Sequence, residues 1–129
     1  GHAFTLHTAA PAKAILAHWS TEAQKSFVQQ IKFTKYTRHT ITSVSGYLAG
    51  LKQVKAKGYA LDRGEESETF ACAAAPVFDH RGLPVASLWI SGPSDRVTTA
   101  SLNKLGRQVK HFADQLSQKL GYDVFCSEG

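Results

Sequence analysis

Methionine is absent from the 129 residues, and cysteine occurs only at Cys72 and Cys126. A natural chain begins with methionine, and Gly1-His2 is typical of what remains after an affinity tag is cleaved. We therefore expect an excised fragment of a larger protein, with one domain over residues 3–129. Two thiols without a CxxC motif or framework spacing predict a reducing, cytoplasmic setting. A Cys72–Cys126 disulfide stays open as the less favoured alternative.

Long apolar runs and strong charge are also missing. No stretch approaches the roughly 18 apolar residues that a membrane-spanning helix needs, and the start of the chain has no signal-peptide pattern. Only 19% of the residues are charged, and no acidic or basic block dominates, so we do not expect a long disordered tail. Because no apolar run is long enough to span a bilayer, we also expect no membrane partner. The net charge of +5 is too mild and too scattered to predict a nucleic-acid surface.

Hydrophobic periodicity predicts four helices and three strands. The expected helices cover 11–19, 21–30, 44–57 and the segment from Thr98 or Thr99 to Gly121, and the expected strands cover 59–62, 70–78 and 83–91. Ser20 and one of the two threonines are the predicted helix caps, and Gly58 is the predicted end of the third helix. Residues 31–42 and the polar segment 63–68 are predicted to be loops.

The tetrapeptide 79–82, Asp-His-Arg-Gly, predicts a four-residue hairpin turn between the last two strands. If Phe78 faces Leu83 across this turn, Cys72 faces Trp89. Because side chains alternate along a strand, that register also decides which residues share a face of the sheet.

One predicted face is mixed in chemistry and the other is uniformly small and apolar. The mixed face carries Phe70, Cys72, Ala74, Ser87, Trp89 and Ser91. The apolar face carries Ala71, Ala73, Ala75, Val77, Ala86, Leu88 and Ile90. The apolar face suits packing of helices. The mixed face suits the wall of a ligand pocket, because a buried polar group needs a hydrogen-bond partner that a ligand supplies.

Several short motifs follow one another along the chain. They are Leu6-His7, Lys13-Ala14-Ile15-Leu16-Ala17, Thr40-Ile41-Thr42, Gly58-Tyr59-Ala60-Leu61-Asp62, Glu65, the run from Cys72 to Asp79, Gly82, Ser91-Gly92-Pro93 and Arg96. None is specific alone. In this order and at these spacings they resemble the signature of the effector domains of IclR-type bacterial transcriptional regulators, from about Phe4 to Tyr122.

The resemblance implies a GAF-like α/β (α+β) fold in which helices flank an antiparallel sheet. It implies that a helix-turn-helix domain and the start of the effector domain are absent from this fragment. DNA would then be bound only through that missing N-terminal domain of a homodimer or homotetramer. It also implies a regulator without catalytic activity or cofactor, whose partner is a small organic (carboxylic) acid effector.

The resemblance places the effector pocket on eight residues. They are Phe4, Ala10, Pro11, Asp62, Phe70, Cys72, Trp89 and Ser91. Asp62 would accept a hydrogen bond from a ligand hydroxyl or share a proton with a carboxylate, and Ser91 would donate to a ligand oxygen. The start of the first helix would favour an anion, although Pro11 removes one donor and leaves Ala12 and Lys13.

Pro11 and Trp89 depart from the family pattern, which has small residues there. Trp89 would narrow the pocket, stack on a flat aromatic acid, or plug the pocket and leave a ligand-free oligomerisation domain. Two other functions stay open, a GAF-type sensor of another signalling protein and a small hydrolase using Cys72.

For the remaining polar residues, roles without catalysis or metal binding are favoured. Cys72 lies on an apolar strand without an evident basic neighbour, so we expect an inert thiol. The histidines show no metal-ligand spacing. Glu65, Glu66 and Glu68 are expected to be solvated in their polar loop.

Overall fold

The computed structural model describes residues 7–123, and its elements follow the predicted order. They are helices α1 (Ala10–Leu16), α2 (Thr21–Val28) and α3 (Val44–Lys57), strands β1 (Ala60–Arg63), β2 (Phe70–Phe78) and β3 (Pro84–Pro93), and helix α4 (Thr99–Lys119). A 3-10 turn, Ser94–Arg96, joins β3 to α4. None of the described helices is long and apolar enough to cross a membrane.

The predicted helix ends are confirmed where local chemistry sets them. The Ser20 hydroxyl accepts the Ala23 N–H at 3.2 Å at the start of α2. The Thr98 hydroxyl accepts the Ser101 N–H at 3.1 Å at the start of α4. Gly58 follows α3 with a φ of +86°, a left-handed conformation that glycine adopts without steric cost.

Helix α1 ends at Leu16, three residues before the predicted end at Trp19. The N–H groups of His18 and Trp19 donate to the carbonyls of Ile15 and Leu16, three residues back, at 3.1 Å each. This tightened final turn brings the chain to Ser20, whose backbone is extended and whose side chain caps the next helix. The remaining element ends agree with the prediction within about two residues.

The sheet is antiparallel in the order β1-β2-β3, and helices pack on both of its faces. One face lies against α4, through a cluster formed by Tyr59, Ala75, Val77, Val109 and Ala113. The other face lies against α1 and α3, through a cluster that includes Ala10, Ala14, Leu51, Ala60 and Ala74. The expected fold, an α+β arrangement of helices flanking an antiparallel sheet, is confirmed.

Small residues let the helices approach β2 closely. Ala73, Ala74 and Ala75 are fully buried in the middle of the strand. On α4, a Cβ at Gly106 would lie 2.3 Å from Cδ2 of the Tyr59 ring. The backbone of α4 and the buried Tyr59 ring are therefore in direct contact, and only glycine fits between them.

The predicted hairpin register is wrong by two residues, although the predicted faces are confirmed. Cys72 is paired with Ser91 and not with Trp89, which lies opposite Ala74. The register shifts next to Phe78, as a β-bulge does when one strand carries an extra residue. A shift by two residues keeps every side chain on its face, because side chains alternate with period two.

Candidate ligand-binding site

Three of the predicted site residues form one row across the sheet. Asp62 of β1 pairs with Cys72 of β2, and Cys72 pairs with Ser91 of β3. Direct cross-strand partners point to the same face, and neighbouring strands lie about 4.8 Å apart. The row therefore sets a carboxyl, a thiol and a hydroxyl side by side on the face that packs against α1.

The next row carries the large side chain of the site. Trp89 lies opposite Ala74, which in turn pairs with Ala60. Ala10 at the start of α1 is fully buried and belongs to the same apolar cluster as those two alanines. Pro11 is half-buried. The fold thus brings the beginning of α1 over the sheet face that carries the predicted site.

The outer part of the predicted site is open. Phe70 is 58% exposed and Trp89 is 45% exposed, and Ser91 is exposed as well. Phe70 pairs with Pro93 at the end of the sheet. Phe4, the eighth predicted residue, lies outside the described residues. The Trp89 ring is consequently not enclosed in the interior of the domain.

The start of α1 offers less to an anion than the sequence suggested. The helix has only seven residues, and Pro11 has no N–H. The Lys13 N–H already donates to the Ala9 carbonyl at 3.2 Å. The backbone donors of α1 are therefore not the main source of positive charge for this site.

The Lys13 side chain supplies that charge. Its ammonium contacts both carboxylate oxygens of Glu65, at 2.6 Å and 2.5 Å, and the two side chains are 7% and 9% exposed. The expectation that Glu65 is solvated is wrong. A buried carboxylate and a buried ammonium each require a partner, and the fold provides one for each.

Hydrogen bonds fix Glu65 beside the predicted site. Its N–H donates to Oδ1 of Asp62 at 2.8 Å, and its carbonyl accepts from the Thr40 hydroxyl. The Thr37 hydroxyl donates to the Gly64 carbonyl at 2.5 Å. The loop after β1 is therefore held by the segment before α3, and one oxygen of Asp62 is already occupied.

Burial perturbs the acid groups of this region. It raises the pKa of Glu65 to about 7, against the opposing effect of Lys13, and it raises the pKa of Asp62. Burial also raises the pKa of the Cys72 thiol to about 12, and Asp62 adds to that shift, whereas Lys13 opposes it. Cys72 thus has a basic neighbour that the sequence did not reveal, yet its thiol stays protonated at neutral pH and is a poor nucleophile.

A helical pattern that includes Lys13 could have revealed this ion pair. Ala10, Lys13, Ala14 and Ala17 follow the i, i+3, i+4, i+7 spacing of one helix face, and all four are buried. A lysine on an otherwise apolar face needs an acidic partner. The sequence does not say that Glu65, 52 residues away, is that partner.

Three clefts lined by described residues lie elsewhere. Their volumes are about 590, 640 and 390 Å³, and none has a wall residue from the predicted site. The first has Lys13 and Glu65 in its wall, with Tyr47 of α3 and Leu102 of α4. Over residues 7–123, no group of three or more His, Cys, Asp or Glu side chains is placed to hold a metal ion.

Comparison with known proteins gives consistent matches. Residues 1–118 match the family model described as the C-terminal domain of the bacterial transcriptional regulator IclR. The HTH-type transcriptional regulator BhcR of Paracoccus denitrificans is 34% identical over 112 residues, which cover 87% of this chain and 40% of the relative. The chain thus spans less than half the length of that relative, whose name is that of a regulator rather than an enzyme.

Solved structures agree with the sequence match. The crystal structure of the C-terminal domain of the E. coli regulator KdgR is 32% identical, with a TM-score of 0.83 over 91% of this chain and 71% of that one. The inducer-binding domain of PobR from Acinetobacter, a double mutant in complex with 3-hydroxybenzoic acid, has a TM-score of 0.78 over 87% of this chain and 65% of that one. At 24% identity this second structure shows a shared fold. By its sequence and its fold, this chain belongs to the IclR family of bacterial transcriptional regulators, whose C-terminal domain it matches.

Proposed function

We propose that this chain is the effector-sensing domain of an IclR-type transcriptional regulator, and that it binds a small organic acid on the sheet face beneath α1. The observation that carries the proposal is the row of Asp62, Cys72 and Ser91. A carboxyl, a thiol and a hydroxyl are set next to one another on the sheet face that also carries Ala60, Ala74 and Trp89.

Each residue of the row has a distinct role in this proposal. Ser91 is exposed and donates its hydroxyl hydrogen to a carboxylate oxygen of the acid. Asp62 keeps one oxygen on the Glu65 N–H and offers the other to a ligand hydroxyl or shares a proton with the acid. Cys72, whose thiol stays neutral, forms the floor between them.

The apolar part of the ligand lies against Trp89, Phe70 and the Ala10-Pro11 segment. The half-exposed indole of Trp89 offers a flat surface to an aromatic or aliphatic chain. If Trp89 instead closed the site, the domain would bind no acid and serve assembly alone. The exposure of its ring favours the open arrangement.

Binding of the acid would change how the full-length protein binds DNA by shifting the populations of its quaternary arrangements. An acid that fits one arrangement of the full-length homodimer or homotetramer better than another shifts the equilibrium toward it by the difference in affinity. The N-terminal helix-turn-helix domains of the full-length protein would then be spaced differently on their operator.

A thermal-shift screen tests the proposal. The panel is glyoxylate, pyruvate, benzoate and 3-hydroxybenzoate, each at pH 6, 7 and 8. An acid that binds only the folded state stabilises it by about 2.7 kcal/mol at a free concentration roughly 100 times its Kd. We expect one acid to raise the melting temperature of the chain, and we expect Asp62→Asn and Ser91→Ala to abolish the rise.

Ser87→Ala is the matched control. Ser87 lies on the same strand and the same face as Ser91, opposite Pro76. The Ser87→Ala substitution should leave the ligand-induced rise in melting temperature unchanged. Loss of the rise in the control as well would show that the three variants act through stability and not through the site. A panel without any hit would contradict the proposed site and favour the closed, Trp89-filled alternative.

A further inference from the structure

Lys13 is the only lysine or arginine among the described residues whose side chain is buried. It lies one helical turn after Ala10, on the face of α1 that packs on the sheet. Its ion-pair partner Glu65 donates its N–H to Oδ1 of Asp62 at 2.8 Å, and the charge of Lys13 opposes the raised pKa of both Asp62 and Cys72. A carboxylate entering beneath α1 therefore meets one nearby buried cation.

That cation already has a partner. The Lys13 ammonium is held by both oxygens of Glu65, and Asp62 contributes a second carboxyl beside the pair. With all three groups ionised, the cluster carries one positive and two negative charges. A further buried carboxylate would leave three negative charges around one ammonium, which desolvation makes strongly unfavourable.

We propose that the bound acid exchanges places with Glu65 as the counter-ion of Lys13: Glu65 takes up one proton from solvent as the carboxylate enters, and the Lys13 ammonium passes to the ligand. This inference rests on the proposed function and specifies its ligands as monoanionic acids. The balance is one carboxylate and one proton bound together, so the net charge of the complex equals that of the free chain.

The surroundings favour Glu65 over Asp62 as the group that takes up the proton. Asp62 accepts the Glu65 N–H, a hydrogen bond that favours its charged form, whereas the side chain of Glu65 has Lys13 as its stabilising partner and loses it to the ligand. Because burial already holds the pKa of Glu65 at about 7, a second negative charge nearby moves it higher. The titratable groups that interact with Glu65 are Lys13 of α1 and Asp62 of β1 and Tyr47 of α3. The other charged or titratable side chains that share a cleft wall with it are His39, Lys57, Arg63 and Glu68.

Calorimetric titration of the wild-type chain with the acid found in the screen tests the inference directly. The binding enthalpy is measured at pH 8 in phosphate and in Tris. The two values should differ by the difference between the ionisation enthalpies of the two buffers, multiplied by about one proton taken up per acid bound. The association constant should fall about tenfold per pH unit above about pH 7. Benzoate, pyruvate and the other panel acids do not titrate there, so the slope reports the protein.

Glu65→Gln separates this mechanism from a purely structural role of the ion pair. The amide keeps the shape of Glu65 but leaves the Lys13 ammonium without its anion, so the variant should bind the acid more tightly than wild type at pH 8 and without a pH slope. Glu68→Gln is the matched control, because Glu68 lies in the same loop with its side chain 56% exposed, 3.5 Å from Arg38, and it should keep the wild-type slope.

The outcomes distinguish this inference from the proposed function. Binding of an acid without proton uptake, and with the same affinity in Glu65→Gln as in wild type, would overturn counter-ion exchange and leave the sensing function standing. Proton uptake that persists in Glu65→Gln would assign the proton to another group and refute the role of Glu65. If no panel acid binds at any pH, the proposed function fails and this inference fails with it.

Discussion

Gly106→Ala and Gly50→Ala make the same chemical change in two helices, and the structure predicts opposite signs. An alanine in a helix interior is favoured over glycine by about 1 kcal/mol. At Gly50 of α3 nothing lies within 4 Å of the added Cβ, so that preference should be realised almost in full. At Gly106 of α4 the Cβ would lie 2.3, 2.5 and 2.9 Å from three atoms of the Tyr59 ring.

The Tyr59 ring has little room to move away from an added methyl group. It is 7% exposed, and its hydroxyl donates to Oδ1 of Asn103 at 2.9 Å. Overpacking of this kind costs about 1–3 kcal/mol, and we take the upper value because three ring atoms are affected. After subtraction of the helix preference, Gly106→Ala should lower the free energy of unfolding by about 2 kcal/mol.

Urea unfolding followed by circular dichroism measures both changes. The two variants should differ by about 3 kcal/mol, with Gly50→Ala above wild type and Gly106→Ala below it. In a Tyr59→Leu background the cost of Gly106→Ala should shrink by about 1 kcal/mol or more, since the contacting ring is gone. Equal effects of the two alanines, or an unchanged cost in the Tyr59→Leu background, would refute the packing argument.

Three further predictions follow from single groups. Ser117→Ala should lower the free energy of unfolding by about 1–3 kcal/mol in a denaturant titration, because the buried Ser117 hydroxyl accepts the Phe78 N–H at 2.9 Å; a change near zero would show that the N–H finds another partner. The Cys126→Ser variant leaves Cys72 as its single thiol. Because burial raises the pKa of Cys72 to about 12, this thiol should react with iodoacetamide on the order of a thousandfold more slowly in the native chain than in urea. Equal rates would contradict its burial. Because the pKa of Glu65 is raised to about 7 from about 4.5, the folded chain binds this proton more tightly than the unfolded chain does. The free energy of unfolding of wild type relative to Glu65→Gln should therefore decline from about pH 4.5 to 7 and level off above. A relative stability that rises over this window would contradict the raised pKa.

Local chemistry made the elements predictable. Strand β2 begins and ends at the predicted residues, Ser20 and Thr98 cap their helices as predicted, and Gly58 follows α3 in the left-handed conformation. Periodicity and capping act over a few residues, so they are visible in sequence. The sharing of sheet faces was predictable as well, because a register error of two residues does not change which face a side chain occupies.

The site was predictable only in part. The resemblance placed Asp62, Cys72 and Ser91 together, and the sheet sets them in one row. It did not give their order, because the register depends on a bulge near the turn that tetrapeptide chemistry alone does not specify. Nor did it show that Phe70 and Trp89 are about half exposed, since exposure depends on what packs above them.

The sequence by itself determined where helices and strands form, which faces of the sheet are apolar and which family the chain resembles, because these follow from patterns between near neighbours. The tertiary structure alone decided the partnership of Lys13 with Glu65. Their separation of 52 residues is closed only when α1 packs on the sheet and the loop after β1 is fixed by Thr37 and Thr40. Burial then makes an isolated charge so costly that each of the two side chains depends on the other.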